Sequence, residues 1–314
     1  MKFLSKIAFL SGLIILVLLL YPSVSAYDDR AVQYNLGGIV FSKLGKNTEA
    51  LTSFDEAIAI EPNFDEAWSN RGIALANLGR ETQAVASCDK AISINPNNSA
   101  SWNNRGFVLS KFYRYTEAED SFDRAVAIDP NYAVAWNNLG GAQSKLGKNT
   151  EALTSFDKAI AINPKYADAW TNRGIALANL GKRIEAIASY DKAIAIDPNF
   201  VEAWADRGIA LSKLDRETDA LASYDKAIAI NPKYADAWSY RGITLFNLGN
   251  YTEAVTSFDK AIAINPNDAT TKQNREMALN KLQPTPSTPI LYAPIGALLF
   301  MAGIAYWGRH KIRR

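Results

Sequence analysis

Apolar positions recur along this chain with helical spacing, and the whole pattern repeats every 34 residues from Ala31 onward. Numbered so that each copy begins at Ala31 or its equivalent, Trp68, Trp102, Trp136, Trp170, Trp204 and Trp238 stand at position 4, with Tyr34 in the first copy. Glycine follows at position 8 and leucine or phenylalanine at position 11, except for Gln143 in the fourth copy. Positions 4, 8 and 11 share one helix face. A second stripe places alanine at 20, an aromatic residue at 24 (Cys88 in the second copy) and alanine again at 27. Each copy is therefore predicted to be two antiparallel helices. Gly45, Gly79, Gly147, Gly181 and Gly249 fall where a left-handed C-cap would join them. Proline at position 32, from Pro62 to Pro266, ends the second helix.

Seven copies follow without insertion, at 31–64, 65–98, 99–132, 133–166, 167–200, 201–234 and 235–268, after a short lead-in at 27–30. A fixed period of this length is the mark of a stacked solenoid, in which each unit buries its apolar face against its neighbours. Glycine at 8 and alanine at 20 let the helix axes approach, while the bulky residues at 4 and 24 fill the space beside them. Residues 269–282 read as a first helix without a second. Lys272 and Glu276 there replace the tryptophan and glycine, as a capping helix requires. The fourth copy carries Gly141 and Gln143 where isoleucine and leucine are usual. It is expected to be the weakest, since glycine inside a helix costs roughly 1 kcal/mol relative to alanine and Gln143 loses apolar contact as well. Identical stretches 102 positions apart, such as Gly45 to Asp55 and Gly147 to Asp157, mark an internal duplication of three copies.

Trp-x2-Arg-Gly-x2-Leu followed by Ala-x3-Phe-x2-Ala and Pro resembles the tetratricopeptide repeat, TPR. The resemblance covers residues 31–268 and implies an all-α, right-handed superhelical solenoid whose concave groove is lined by first helices. It also implies a protein or peptide ligand rather than a substrate.

The two ends change the picture. Lys2 and Lys6 precede an apolar run from Ile7 to Leu20, followed by Tyr21-Pro22 and the small residues Val24-Ser25-Ala26. Residues 1–26 read as a secretory signal peptide cut after Ala26, or as an uncleaved signal anchor. Residues 283–289 form a Pro/Thr/Ser linker, and Ile290 to Trp307 give 18 residues without a charge before a basic tail at 308–314. That layout predicts one transmembrane helix at 290–307, a cytoplasmic C-terminus and the array on the extracytoplasmic side of the cell membrane. The tail also resembles a processed sorting signal of prokaryotic, archaeal-type surface proteins, although no sortase-type motif precedes it.

Charge and chemistry narrow the function. Outside the two tails the balance is 28 positive against 32 negative, which gives nucleic acid no basic face to use. The single cysteine, Cys88, falls at a core position and reads as a buried thiol acting as a small apolar group. The single histidine, His310, lies in the tail, so the array holds no Ser-His-Asp or Cys-His arrangement and no histidine-based metal site. Neither an enzyme nor a cofactor is expected. The sequons Asn97-Asn98-Ser99 and Asn250-Tyr251-Thr252 could accept N-glycans if the array is exported.

The expected functional surface is the groove. In the family, first-helix positions 2, 5, 6, 9, 12 and 13 face inward, and here position 6 holds Asn70, Asn104, Asn138 and Asn172, then Asp206, with Asn103 and Asn137 at position 5. These resemble an asparagine ladder that holds an extended peptide by its backbone, since an amide both donates and accepts. Lys111 and Lys145 at position 13 could add charge pairing. Four such bonds supply about 2–6 kcal/mol, against an association cost of about 4–15 kcal/mol, so the ladder alone binds weakly. Arg71, Arg105, Arg173, Arg207 and Arg241 at position 7 invite pairing with the aspartate at position 25. Leu139 coexisting with Asp157 argues instead for stems packed between copies with their heads in water. The alternative to a peptide-binding scaffold is a structural envelope protein that self-associates through its outer face.

Overall fold

The computed structural model describes residues 27–283, which contain fifteen α-helices. In chain order they are α1 Asp29–Lys43, α2 Asn47–Ile60, α3 Asp65–Asn77, α4 Glu81–Ile94, α5 Ser99–Lys111, α6 Tyr115–Ile128, α7 Ala133–Lys145, α8 Asn149–Ile162, α9 Ala167–Asn179, α10 Arg183–Ile196, α11 Val201–Ser212, α12 Glu217–Ile230, α13 Ala235–Asn247, α14 Tyr251–Ile264 and α15 Ala269–Leu282. Odd-numbered helices are the first helices of the hairpins, and α15 stands alone at the end. The described chain divides into two compact units, one up to Ala142 and one from Gln143.

The turns inside the hairpins follow from one backbone conformation. Gly45, Gly79, Gly147, Gly181 and Gly249 all have φ between +73° and +79°, and Tyr113 (φ 64°) and Asp215 (φ 57°) hold the same place in the third and sixth repeats. In the first turn Lys46 N–H donates to Phe41 O at 2.9 Å and Gly45 N–H to Ser42 O at 3.0 Å. This crossed pair satisfies carbonyls left open at the helix end. The second helix stops where the chain turns extended at the residue before proline, as at Asn95 (φ −133°, ψ 87°).

Inside five of the hairpins the core is a ring laid on a glycine. Phe54, Phe122, Phe156, Tyr190, Tyr224 and Phe258 are all at most 2% exposed. A Cβ added to Gly38, Gly106, Gly174, Gly208 or Gly242 would lie 2.5–2.6 Å from the ring of its own repeat, and at Gly72 it would lie 2.5 Å from Cys88 Sγ. The position-4 tryptophans, by contrast, are only half-buried. Each indole N–H donates to the carbonyl of the preceding repeat's proline, from Trp68 to Pro62 at 2.9 Å through Trp238 to Pro232 at 3.0 Å. The tryptophan is thus a tie between repeats as well as a filler.

Two expectations need correction. The fold class loses its transmembrane helix: among the described residues no helix is long and apolar enough to cross a membrane. The longest, α1, has 15 residues, about 22 Å at the helical rise, against a hydrocarbon core of about 30 Å. The segment proposed for that helix, 290–307, lies outside the described residues, as do 1–26, 284–289 and 308–314. The fold is an all-α solenoid of helix hairpins. The second correction concerns Gln143, which is not a lost contact: it is 8% exposed, and its Oε1 accepts from Ser155 Oγ at 2.7 Å.

At the end of the array, Glu276 of α15 occupies the glycine position and is exposed, and among the described residues no second helix covers it. At the start, Tyr27 stacks on Phe64 with ring centroids 4.4 Å apart and donates to Asp65 Oδ1 at 3.0 Å. Asn98 donates to Asp65 Oδ2 at 2.8 Å, so this buried carboxylate joins three segments.

Gly106→Ala should destabilise the protein by about 1–3 kcal/mol, because the new methyl must displace the Phe122 ring from a filled site. Chemical denaturation measures it, and Gly106→Ala/Phe122→Leu should recover part of the loss. Tyr113→Gly should do the reverse and raise stability by about 1–2 kcal/mol, the cost of holding a side chain in the left-handed region.

Candidate groove-lining site on the first helices

The first-helix face is organised by side chains that reach from one repeat to the one before it. Asn70 Nδ2 donates to Asn35 Oδ1 at 3.0 Å, Asn104 Nδ2 to Ser69 Oγ at 2.9 Å, and Asn138 Nδ2 to Asn103 Oδ1 at 2.9 Å. Position 6 of one repeat thus donates to position 5 of its predecessor. Asn103, Asn137 and Asn138 are buried at 5%, 2% and 6% exposure. Asn70, Asn104 and Asn172 are half-buried. Asp206, the acidic replacement at position 6, is 3% exposed.

Position 13 forms a second line. Lys111 is exposed and its Nζ donates to Asn77 Oδ1 at 2.5 Å, while Asn77 Nδ2 donates to Asn47 Oδ1 at 3.0 Å. Lys145 is half-buried, and desolvation lowers its ammonium pKa. Along position 2, Glu66 is exposed, and Asp168, Glu202 and Asp236 are half-buried. Asp168 and Glu202 line an open pocket of about 340 Å³ together with Asp197, Asn199, Phe200 and Asn231. The nine candidate residues therefore fall into two groups. Asn70, Asn104, Asn172, Lys111 and Lys145 reach solvent, whereas Asn103, Asn137, Asn138 and Asp206 are inside the protein. Of the two sequon acceptors, Asn97 and Asn250 are both exposed in turns.

The arginines at position 7 are more than packed stems. Arg71 Nε pairs with Asp55 Oδ1 at 2.7 Å and its Nη1 donates to Ser87 Oγ at 2.8 Å. Arg105, Arg173, Arg207 and Arg241 repeat the arrangement with Asp89 and Ser121, Asp157 and Ser189, Asp191 and Ser223, and Asp225 and Ser257. One guanidinium thereby joins the second helix of its own repeat to that of the repeat before. The objection drawn from Leu139 fails because Asp157 belongs to Arg173 of the following repeat. The signal was present as serine at position 23 of every repeat, sixteen residues after position 7, just as the aspartate lies sixteen before. Arg71, Arg173 and Arg207 also lie over Trp68, Trp170 and Trp204 at 5.5–6.0 Å, which adds a cation–π contact.

Cys88 is fully buried, and desolvation is the main cause that pushes its thiol pKa up to about 12. Among the described residues no group of three or more His, Cys, Asp or Glu could hold a metal ion.

Helix hairpins of fixed length, tied back to their predecessors through first-helix side chains, define a helical-repeat interaction scaffold. Family profiles described as tetratricopeptide repeat match residues 65–98, 167–200 and 235–268, and a second such profile matches 87–120, 121–154 and 189–222. A profile described as TPR repeat matches 38–79, 142–181 and 217–249. The chain belongs to the tetratricopeptide-repeat family, whose arrays serve as protein-interaction scaffolds and are generally non-enzymatic. No curated protein matches it. Among solved structures, the fold is similar to a chain of the APC/C hetero-tetramer Cut9-Hcn1, with a TM-score of 0.66 and 16% identity over 79% of this chain and 49% of that one. It is similar also to a tetratricopeptide repeat protein from Parabacteroides merdae (TM-score 0.61, 19% identity, 81% of this chain and all of that one). A third is PilW, described as a widely conserved type IV pilus biogenesis factor (TM-score 0.61, 24% identity, 68% and 98% of the two chains). At these identities the likeness shows the fold.

Two outcomes follow. Cys88 should resist a thiol reagent in the folded protein at pH 9 and react on unfolding, as read by reagent absorbance. Since the folded state holds that proton more tightly than the unfolded chain, the thiol's contribution to stability is full below about pH 9. It is lost as pH rises towards about 12. Arg105→Gln should lower stability by about 1 kcal/mol, since the Asp89 partner is half-exposed and its charge is screened by solvent.

Proposed function

We propose that the array binds an extended segment of a partner protein along its first-helix face, holding the segment by its backbone and doing no chemistry on it. The observation that carries this reading is the pinning of Asn70 and Asn104. Each amide is fixed through one N–H to the preceding repeat and keeps its second N–H for a ligand's peptide group. A side chain already held in place loses little rotamer freedom when the ligand arrives, which reduces the cost of association. The solvent-reaching Lys111 on the same first-helix face favours a segment that carries carboxylates. The buried Asn103, Asn137 and Asn138 take the supporting role of setting the spacing between repeats.

Head-to-tail self-association draws no support from the tie that joins the repeats. Gly37 occupies position 7 of the first repeat and has no guanidinium to offer another copy, while Asp259 of the last repeat is already paired with Arg275. We further place the array beyond a membrane, on the strength of the basic, apolar and small-residue series at 1–26.

Immobilised full-length protein should retain partners from an extract of its own cells, and Asn70→Ala/Asn104→Ala should lose them, with circular dichroism checking that the variant is folded. Equal retention by the folded double variant would remove the amide face from the proposal. The mass of the purified native protein should show Tyr27 as its first residue; a chain beginning at Met1 would remove cleaved export.

A further inference from the structure

Within the unit that ends at Ala142, side chains tie the turns of the first three hairpins side by side. Asn77 Nδ2 at the end of α3 donates to Asn47 Oδ1 at the start of α2 at 3.0 Å. Lys111 at the end of α5 donates to Asn77 Oδ1 at 2.5 Å, and Arg114 Nη1 donates to Glu81 Oε1 at 3.2 Å. The three turns therefore form one continuous row. Large apolar side chains stand out from it: Leu44 is 62% exposed, Leu78 38% and Tyr113 78%. Tyr113 holds the left-handed position that glycine fills in five other turns, and Tyr115 meets it edge-on with ring centroids 6.2 Å apart. A residue with a Cβ is strained in that region, so the chain accepts a cost there to hold an aromatic ring in solvent. The charge of the row also has a sign. Across residues 43–49, 77–83 and 111–117 five Lys and Arg stand against three Glu, a net of +2. Arg114 takes two of those carboxylates, Glu81 and Glu117. Lys43, Lys46 and Arg80 are exposed and flank the apolar tips in the chain, with Glu49 as the remaining carboxylate of the row.

We propose that this row of turns docks on an anionic lipid surface, with Leu44, Leu78 and Tyr113 entering the headgroup region and Lys43, Lys46 and Arg80 meeting the lipid charges. Apolar tips spaced one repeat apart gain from lipid without a shaped pocket to receive them, whereas a protein partner has to be complementary to each. A tyrosine suits that depth, since its ring is apolar and its hydroxyl stays among polar groups. The cations draw the row to a negatively charged leaflet. None of these six docking groups belongs to the amide face assigned to a partner segment, so the two surfaces stand or fall separately.

A polarity-sensitive dye on the row of the full chain tests this, because it reports local contact with lipid whatever else holds the protein to a membrane. Leu78→Cys carries a thiol-reactive nitrobenzoxadiazole, while Cys88 is buried and stays unlabelled in the folded protein. Vesicles of equal parts phosphatidylcholine and phosphatidylglycerol should shift the emission to the blue, and pure phosphatidylcholine should not. The same dye at Lys90→Cys, in the half of α4 away from the turn, should stay unshifted with both. Adding Lys43→Ala/Lys46→Ala/Arg80→Ala should raise the lipid concentration at half shift by about tenfold or more. Tyr113→Gly should raise it by about threefold or more while also raising the urea midpoint, a combination that a purely structural tyrosine does not give. Should Leu78→Cys fail to fold, the dye goes at Leu44→Cys, where the same shifts are expected. An equal shift with neutral vesicles, no shift with either, or an unchanged half-point in folded Tyr113→Gly would overturn the proposal. A shift produced by delipidated cell extract and absent with vesicles would assign the row to a protein instead.

Discussion

The whole array depends on a contact that admits no side chain. Where Gly174 faces Tyr190, the ring edge occupies the volume that a Cβ would need, 2.5 Å from the place such an atom would take. Packing at that distance brings the two helices of a hairpin together closely enough that the fully buried alanines at positions 20 and 27 fill what remains. Because the glycine and the ring lie in the same repeat, each hairpin settles its own geometry before any neighbour is added. The second repeat keeps the contact with a smaller partner, Cys88, and there the Ala84 carbonyl also lies 3.0 Å from the hypothetical Cβ of Gly72. A small group under the same glycine is accommodated with a backbone carbonyl as its neighbour.

Hairpins of fixed geometry become an array through polar ties of moderate strength. The arginine side chains are about a quarter exposed and their aspartates about half, so solvent weakens each pair. The amide bonds along the first helices and the indole bonds to the proline carbonyls add directional constraints. The first-helix side chains therefore carry much of the connection between repeats, and their register is fixed by the protein's own hydrogen bonds.

Much of this was legible in the residues. The period, the hairpins, the left-handed glycine turns and the proline stops all follow from local rules and from one spacing, and the structure has them. The apolar segment 290–307 lies outside the described residues. The site was legible only in part. Asparagine at position 6 announces an amide on the first-helix face, but whether that amide meets a ligand or the preceding repeat depends on the distance between helices, which no single repeat contains. The arginine tie was misjudged for a related reason: Leu139 was compared with the aspartate of its own repeat, whereas the partner lies one repeat earlier. Gln143 was read as damage because the serine that accommodates it, Ser155, lies on the other helix of the hairpin.

The donors in these ties share a direction. Trp68, Asn70 and Arg71 all give their hydrogens to Pro62, Asn35 and Asp55, acceptors that precede them in the chain. Trp102, Asn104 and Arg105 do the same one repeat later. Protein synthesis runs from the N-terminus, so each new hairpin emerges from the ribosome when the acceptors it needs are already made and folded. For these bonds the growing array can lengthen one hairpin at a time on a finished surface. Each arginine's second bond, such as Arg71 to Ser87, closes when the second helix of the same hairpin follows. Tyr27 waits longer, since its hydroxyl is held by Asp65 of the second repeat.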